Sequence, residues 1–200
     1  VMDVREGDFD SNWSRDLWDS FLETTRLNDS EFLENDYYPF DLVVGTYDWI
    51  NPTGFAQAIA LGSTIRLLFP SVPYSSFNGL ELRFSGFEDE PFFAGNDRWS
   101  QYRIPSGLNV SFKEDDNQLA TLNYEGHFDR IIDGSLISLP TIMRFDFSSS
   151  DHTINLQLAY LGDLKYQLTG DILGAGCDMK VDVAIDFLQS RLNFKSNLRQ

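Results

Sequence analysis

Leu108, Val110 and Phe112 alternate with Asn109, Ser111 and Lys113. A period of two residues marks a β-strand with one apolar and one wet face. Ala120, Leu122, Tyr124 and Phe128 repeat the pattern against Thr121, Asn123, Glu125, His127 and Asp129. The short polar stretch Glu114-Asp115-Asp116-Asn117 between the two runs predicts a hairpin. A second hairpin follows, in which Met143, Phe145 and Phe147 alternate with Arg144 and Asp146. Ser148-Ser149-Ser150-Asp151 then turns the chain into Ile154, Leu156, Leu158 and Tyr160. Leu164, Tyr166 and Leu168 continue the series. After Gly174-Ala175-Gly176, the residues Met179, Val181, Val183, Ile185 and Phe187 are set against Asp178, Lys180, Asp182 and Asp186.

Earlier strands are predicted over 41–50, 63–69 and 79–87, bounded by Pro52, Pro70, Pro73 and Gly79. Residues 53–61 fit a strand or a short helix, because Phe55, Ala58 and Ile59 satisfy either period. About nine short strands joined by hairpin-sized turns predict a mainly β protein. The expected form is a single antiparallel barrel or a β-sandwich over residues 41–196, within one domain spanning 1–200. Residues 9–35 read differently. Trp13, Leu17 and Phe21, flanked by Trp18 and Leu22, recur at helical spacing and predict an amphipathic helix ahead of the sheet. Phe32 and Leu33 are expected to begin a further short turn.

Gly45-Thr46-Tyr47-Asp48-Trp49 resembles the glycine-x-tryptophan opening of lipocalin-like barrels, with the tryptophan displaced. The resemblance implies a barrel whose interior is either filled by side chains or open to one small apolar ligand.

Charge narrows the partners. The formal net charge is -16 over 200 residues, a field that repels phosphate backbones and anionic membranes, so nucleic-acid binding is not expected. Residues 1–50 carry 13 acidic and 3 basic side chains, which makes the N-terminal quarter the electrostatic outlier. No apolar run approaches the roughly 20 residues of a membrane-spanning helix, and no signal-peptide pattern is visible. Cys177 stands alone, so no internal disulfide forms, and it reads as a small buried hydrophobe.

The chemistry on offer is sparse. Asp8, Asp10, Asn12, Ser14, Asp16 and Asp19 stand at the oxygen-ligand spacing of a twelve-residue calcium loop. Trp13, however, occupies the sharp bend that normally takes glycine, and Asp19 replaces the bidentate glutamate. The capped start of a helix accounts for the same residues more simply, with Asp10 or Ser11 as cap and Asp16 near the positive end of the helix dipole. Metal binding at Asp8, Asp10, Asn12 and Asp19 is therefore the lesser reading. Glu125, His127 and Asp129 leave one strand face at roughly 7 Å intervals. They are the nearest thing to a catalytic cluster, although the wet face of a sheet also requires polar residues there. Phe92, Phe93 and Trp99, set among Glu88, Asp89, Glu90, Asn96 and Asp97, are candidates for stacking on a sugar ring whose hydroxyls the acids and amides bond, or for anchoring a long connection, and the acids could instead bind calcium.

No nucleophile elbow, zinc motif or phosphate loop occurs, and no cofactor is expected. The expected function is a non-enzymatic, extracytoplasmic β domain, in the periplasm, at a cell surface or secreted. It would bind a small apolar ligand, a glycan or a protein partner. The alternatives are a carboxylate-dependent hydrolase and an acidic protein that masks a basic partner.

Overall fold

The computed structural model describes residues 11–25, 40, 43–50, 54–59, 62–72, 75–91, 103–132, 136–186 and 191–199. One helix, α1 (Ser11–Thr25), precedes eleven strands. These are β1 (Gly45–Ile50), β2 (Gly54–Ile59), β3 (Ile65–Phe69), β4 (Leu80–Pro91), β5 (Arg103–Glu114) and β6 (Asn117–Ile132). They are followed by β7 (Leu136–Ser149), β8 (His152–Gly162), β9 (Lys165–Gly174), β10 (Cys177–Asp186) and β11 (Arg191–Arg199). The protein is mainly β, as the alternation predicts.

Three expectations change in detail. Residues 54–59 are a strand, because Phe55 and its neighbours pair with β1 (Trp49 opposite Phe55, Asp48 opposite Ala56). The final strand, β11, was not anticipated, although Leu192, Phe194 and Leu198 alternate with Asn193, Lys195 and Asn197. Finally, the hydrogen-bonded order runs β11-β10-β9-β8-β7-β6-β5-β4-β3-β1-β2 and so has two ends. Barrel closure requires β2 to meet β11, and a sandwich requires two sheets. Neither arrangement is present among the described strands, which form one open, mixed sheet with β1 parallel to β3. The expected turn at Phe32 and Leu33 lies outside the described residues.

Contacts group the chain into two compact units, residues 1–85 with 112–117, and residues 86–111 with 118–200. The first holds α1, the order β2-β1-β3 and the start of β4. Leu17 and Phe21, one helical turn apart, are buried together with Val43, Tyr47, Phe55, Ile65, Leu67, Phe69 and Leu80. The Phe21 and Tyr47 rings meet edge to face, with centroids 5.4 Å apart, and the Tyr47 hydroxyl donates to the Val43 carbonyl at 2.8 Å. Burying a ring of this size contributes roughly 1.5–3 kcal/mol.

The same helix closes the edge of β2. Ser20 and Thr24 lie four residues apart, hence on one face of α1. The Phe55 N–H donates to Ser20 Oγ at 2.8 Å, and the Thr24 hydroxyl lies 2.8 Å from both the Phe55 carbonyl and the Ser20 carbonyl of its own helix, so its one proton is shared between them. Two side-chain hydroxyls thus stand where a further strand would have paired, which protects an edge from unwanted strand addition. Gly54, at φ +106°, allows the close approach, since a Cβ there would collide with Ser20 Oγ.

The second unit is a meander of long antiparallel strands. Leu122, Phe147, Ile154, Ile172 and Met179 stand opposite one another in turn across β6 to β10. Directly opposed residues share a face, so this is one row of an apolar face. Met143, Leu158, Leu168 and Val183 form another such row. On this face Tyr166 and Val183 are buried. Gly126 lies on this face beneath two rings of its own strand, where a Cβ would come within 2.6 Å of the Tyr124 hydroxyl and 2.9 Å of Phe128. The Tyr124 hydroxyl donates across to the Pro105 carbonyl at 3.1 Å.

Tight two-residue turns join these strands. Asp115 and Asp116 have φ of 46° and 69°, and Asp163 and Leu164 have φ of 50° and 55°. Two consecutive left-handed residues suit the twist of a hairpin, but a branched leucine is strained there.

Two stability outcomes follow, both readable by urea unfolding. Thr24→Val should lower stability by about 0.5–1 kcal/mol, because it removes the shared hydroxyl donor to the Phe55 carbonyl. An unchanged midpoint would show that the edge is not held by this bond. Leu164→Gly should raise stability by about 0.5–1 kcal/mol by relieving the left-handed strain, net of glycine's added chain entropy. A loss of stability would mean that the Leu164 side chain contributes packing that outweighs the strain.

Candidate functional site

The opposite face of the second unit is polar, and the same register builds it. Asn123, Asp146, Asn155, Asp171 and Lys180 form one row across β6 to β10. Glu125, Arg144, Gln157, Thr169 and Asp182 form the next. Where the rows begin, a groove of about 350 Å³ opens among β4, β5, β6 and β7, entirely within the second unit. Its lining includes Glu88, Asn109, Asn123, Glu125, Arg144 and Asp146.

Missing side chains create the space. Gly86, Ser106 and Gly107 line the groove, and Ser106 is buried. Gly86 is left-handed at φ +60°, and a Cβ on it would strike the Asn109 amide. A Cβ on Gly107 would sit 3.3 Å from both Glu88 Cβ and the Gly86 carbonyl oxygen, so a larger residue would grow into the groove's wall.

One wall is an ordered charge cluster. Arg144 Nη1 donates to Glu125 Oε2 at 3.1 Å, across the β6–β7 pair. The other carboxylate oxygen, Oε1, lies 3.1 Å from His127 Nε2. Both bonds favour the ionised acid, and together they hold the Glu125 carboxyl below the ordinary glutamate range, with the Arg144 bond contributing most. A local irregularity in the pairing follows the histidine directly. Pairing slips between His127 and Phe128, leaving Thr141 as the extra residue of a β-bulge. The Thr141 hydroxyl donates to the His127 carbonyl at 3.0 Å.

Of the predicted cluster, the structure brings Glu125 and His127 together. Asp129 is exposed further along β6 and takes no part in their hydrogen bonds. Arg144, which sequence reasoning placed only on an outward face, is the true partner of Glu125. Its proximity depends on strand register, which no local pattern reveals. Ser106, Gly107 and Asn109 were likewise missed as lining residues, while Glu88, expected among the acids beside Phe92 and Phe93, lines this groove instead. The only local signal was Gly86 and Gly107 inside otherwise alternating strands, since a strand glycine often marks a close backbone approach.

The aromatic candidates Phe92, Phe93 and Trp99 lie outside the described residues, as do Asp8 and Asp10 of the calcium-type spacing. Asn12 and Asp19 fall within α1, where Asp19 is exposed. A helix from Ser11 onward takes four of the six spaced positions, Asn12, Ser14, Asp16 and Asp19, out of any loop. Among the described residues, no group of three or more His, Cys, Asp or Glu side chains is placed to hold a metal ion. No described helix is long and apolar enough to cross a membrane.

The site therefore belongs to a mainly β protein with an open sheet, one polar face and a shallow groove at one part of it. No protein-family model, curated protein or solved structure matches the chain.

Glu125 gives a direct electrostatic test. Its pKa is lowered in the folded chain, so whatever stability it lends is present above the unfolded value and lost as pH falls through the folded one. With the group open to solvent that contribution is small, and the titration itself is the better readout. A carboxyl-carbon NMR titration should find Glu125 below the protein's free glutamates. Arg144→Met should return it towards them, whereas an unmoved midpoint would show that the cross-strand bond does not persist in solution.

Proposed function

We propose that this protein is a non-catalytic binding module that holds a saccharide in the groove of its second unit. The observation that carries the reading is the lining: amides at Asn109 and Asn123, carboxylates at Glu88 and Asp146, and the paired Glu125 and Arg144 around about 350 Å³. Amides both donate and accept, and carboxylates accept, which matches the paired demands of sugar hydroxyls. The volume lies within the range of small-ligand sites. An apolar ligand would leave these groups desolvated and unpaired, at a cost of about 1–3 kcal/mol each. An extracytoplasmic setting, where free glycans are met, accords with this reading.

A hydrolase built on the same carboxylates is the second reading, since Glu88, Glu125 and Asp146 share the groove. Glycoside hydrolysis needs one acid whose pKa is raised so that it can protonate the leaving group. Glu125 is pulled the other way, which favours a fixed hydrogen-bond acceptor over a proton donor.

The test is titration of the full chain with a panel of neutral disaccharides, followed by calorimetry and by amide shifts on β5 to β7. A member of the panel should bind, and Asn123→Ala should weaken it about tenfold, or about 1.4 kcal/mol. Gly107→Val should abolish binding by crowding the groove at Glu88 and Gly86, with a lowered melting temperature but the β-sheet circular-dichroism spectrum retained at the temperature of the titration. No response to any sugar, or full binding by Gly107→Val, would reject the groove. Release of monosaccharide would reject the non-catalytic assignment.

A further inference from the structure

We infer that the groove is one end of a longer track, and that its ligand is a linear, uncharged oligosaccharide lying across the strands from β6 to β10. The step rests on the saccharide reading above and adds the ligand's shape and charge.

The geometry comes from register. Beyond Glu125 and Arg144, the row continues through Gln157 and Thr169, and Asn155 extends the neighbouring row from Asp146. Asn155 and Thr169 are exposed and Gln157 is half-buried, so the face remains accessible past the groove. Adjacent strands lie about 4.8 Å apart, so each row offers a polar side chain at that interval over roughly 19 Å from β6 to β10. An extended sugar chain presents hydroxyls at a comparable interval, one unit after another, in the direction the rows run. Immediately beyond the groove the rows offer the amides of Asn155 and Gln157 and the hydroxyl of Thr169, and they end on the charged side chains of Asp171, Lys180 and Asp182.

The charges in the rows are largely spent on one another. Arg144 is held by Glu125 at 3.1 Å, Lys180 Nζ stands 3.5 Å from Asp171 Oδ1, and the Gln167 amide donates to Asp182. Both cations of the two rows are thus committed to acids of the same rows. A uronate chain would meet Asp146 and Glu88 with no unspent cation in the rows to offset them, and like charges in contact are disfavoured. The amides, the Thr169 hydroxyl and the carboxylates, which only accept, remain to face the ligand, and they complement the hydroxyls of an uncharged chain.

Calorimetry on the full chain with β-linked gluco-oligosaccharides of two to six units, and with hexagalacturonate, tests this. Affinity should rise at least tenfold from the disaccharide to the hexasaccharide, with amide shifts spreading from β6 and β7 onto β8 and β9. The double variant Gln157→Ala/Thr169→Ala should weaken hexasaccharide binding several-fold. It should leave disaccharide affinity and melting temperature as in the parent, which separates a lost contact from a lost fold. Equal affinity for two and six units, or an unaffected hexasaccharide in the double variant, overturns the track and leaves the groove reading standing. Hexagalacturonate binding as tightly as the neutral hexamer overturns the charge assignment. If no length binds at all, the saccharide reading falls and the track falls with it.

Discussion

The antiparallel register of β6 to β10 is the constraint on which the second unit depends. Side chains alternate with a period of two, so a slip of one residue in any pair would send a whole strand's apolar set to the wet side. With Leu122 opposite Phe147 and Glu125 opposite Arg144, both faces are set at once. Each further strand inherits the choice, because Phe147 stands opposite Ile154 and Ile154 opposite Ile172. The apolar rows and the polar rows are therefore two consequences of one alignment, and the groove is a local feature of the second.

The first unit solves a different problem. A sheet must end somewhere, and an exposed edge invites pairing with another chain. At β2 the end is met by α1, whose buried Leu17 and Phe21 bring Ser20 and Thr24 against the backbone of Phe55. Packing and edge protection are coupled here, because the hydroxyls reach the strand only while the apolar residues hold the helix down. Elsewhere in this unit a bidentate pair, Arg66 with Glu81 at 3.2 and 2.7 Å, ties β3 to β4. The same bond keeps the Glu81 carboxyl below its ordinary range.

Glycine placement links fold to site. Gly54 admits Ser20, Gly126 admits the rings of Tyr124 and Phe128, and Gly86 with Gly107 leaves room beside Asn109 and Glu88. In the first two cases the missing side chain permits close packing. In the last it leaves a space lined by groups able to bond a ligand. The charged wall beside that space is ordered by its own bonds, with Glu125 held between Arg144 and His127, so little reorganisation is needed when a polar molecule arrives.

Much of the secondary structure was legible in the chain itself. Alternation at 108–112, 120–128, 143–147 and 179–187 is a local property, as is the helical spacing of Trp13, Leu17 and Phe21, and local patterns survive in any arrangement that buries one face. The Glu125–His127 pair was legible for the same reason, since i and i+2 share a strand face. What neighbours what is another matter. That Arg144 rather than Asp129 meets Glu125, that β2 is a strand edged by a helix, and that the strand order ends at β2 and β11 without closing all depend on pairing between distant segments. A one-dimensional pattern names the face on which a residue stands. Only the tertiary register, set by the simultaneous burial of every apolar row, decides which residue stands beside it.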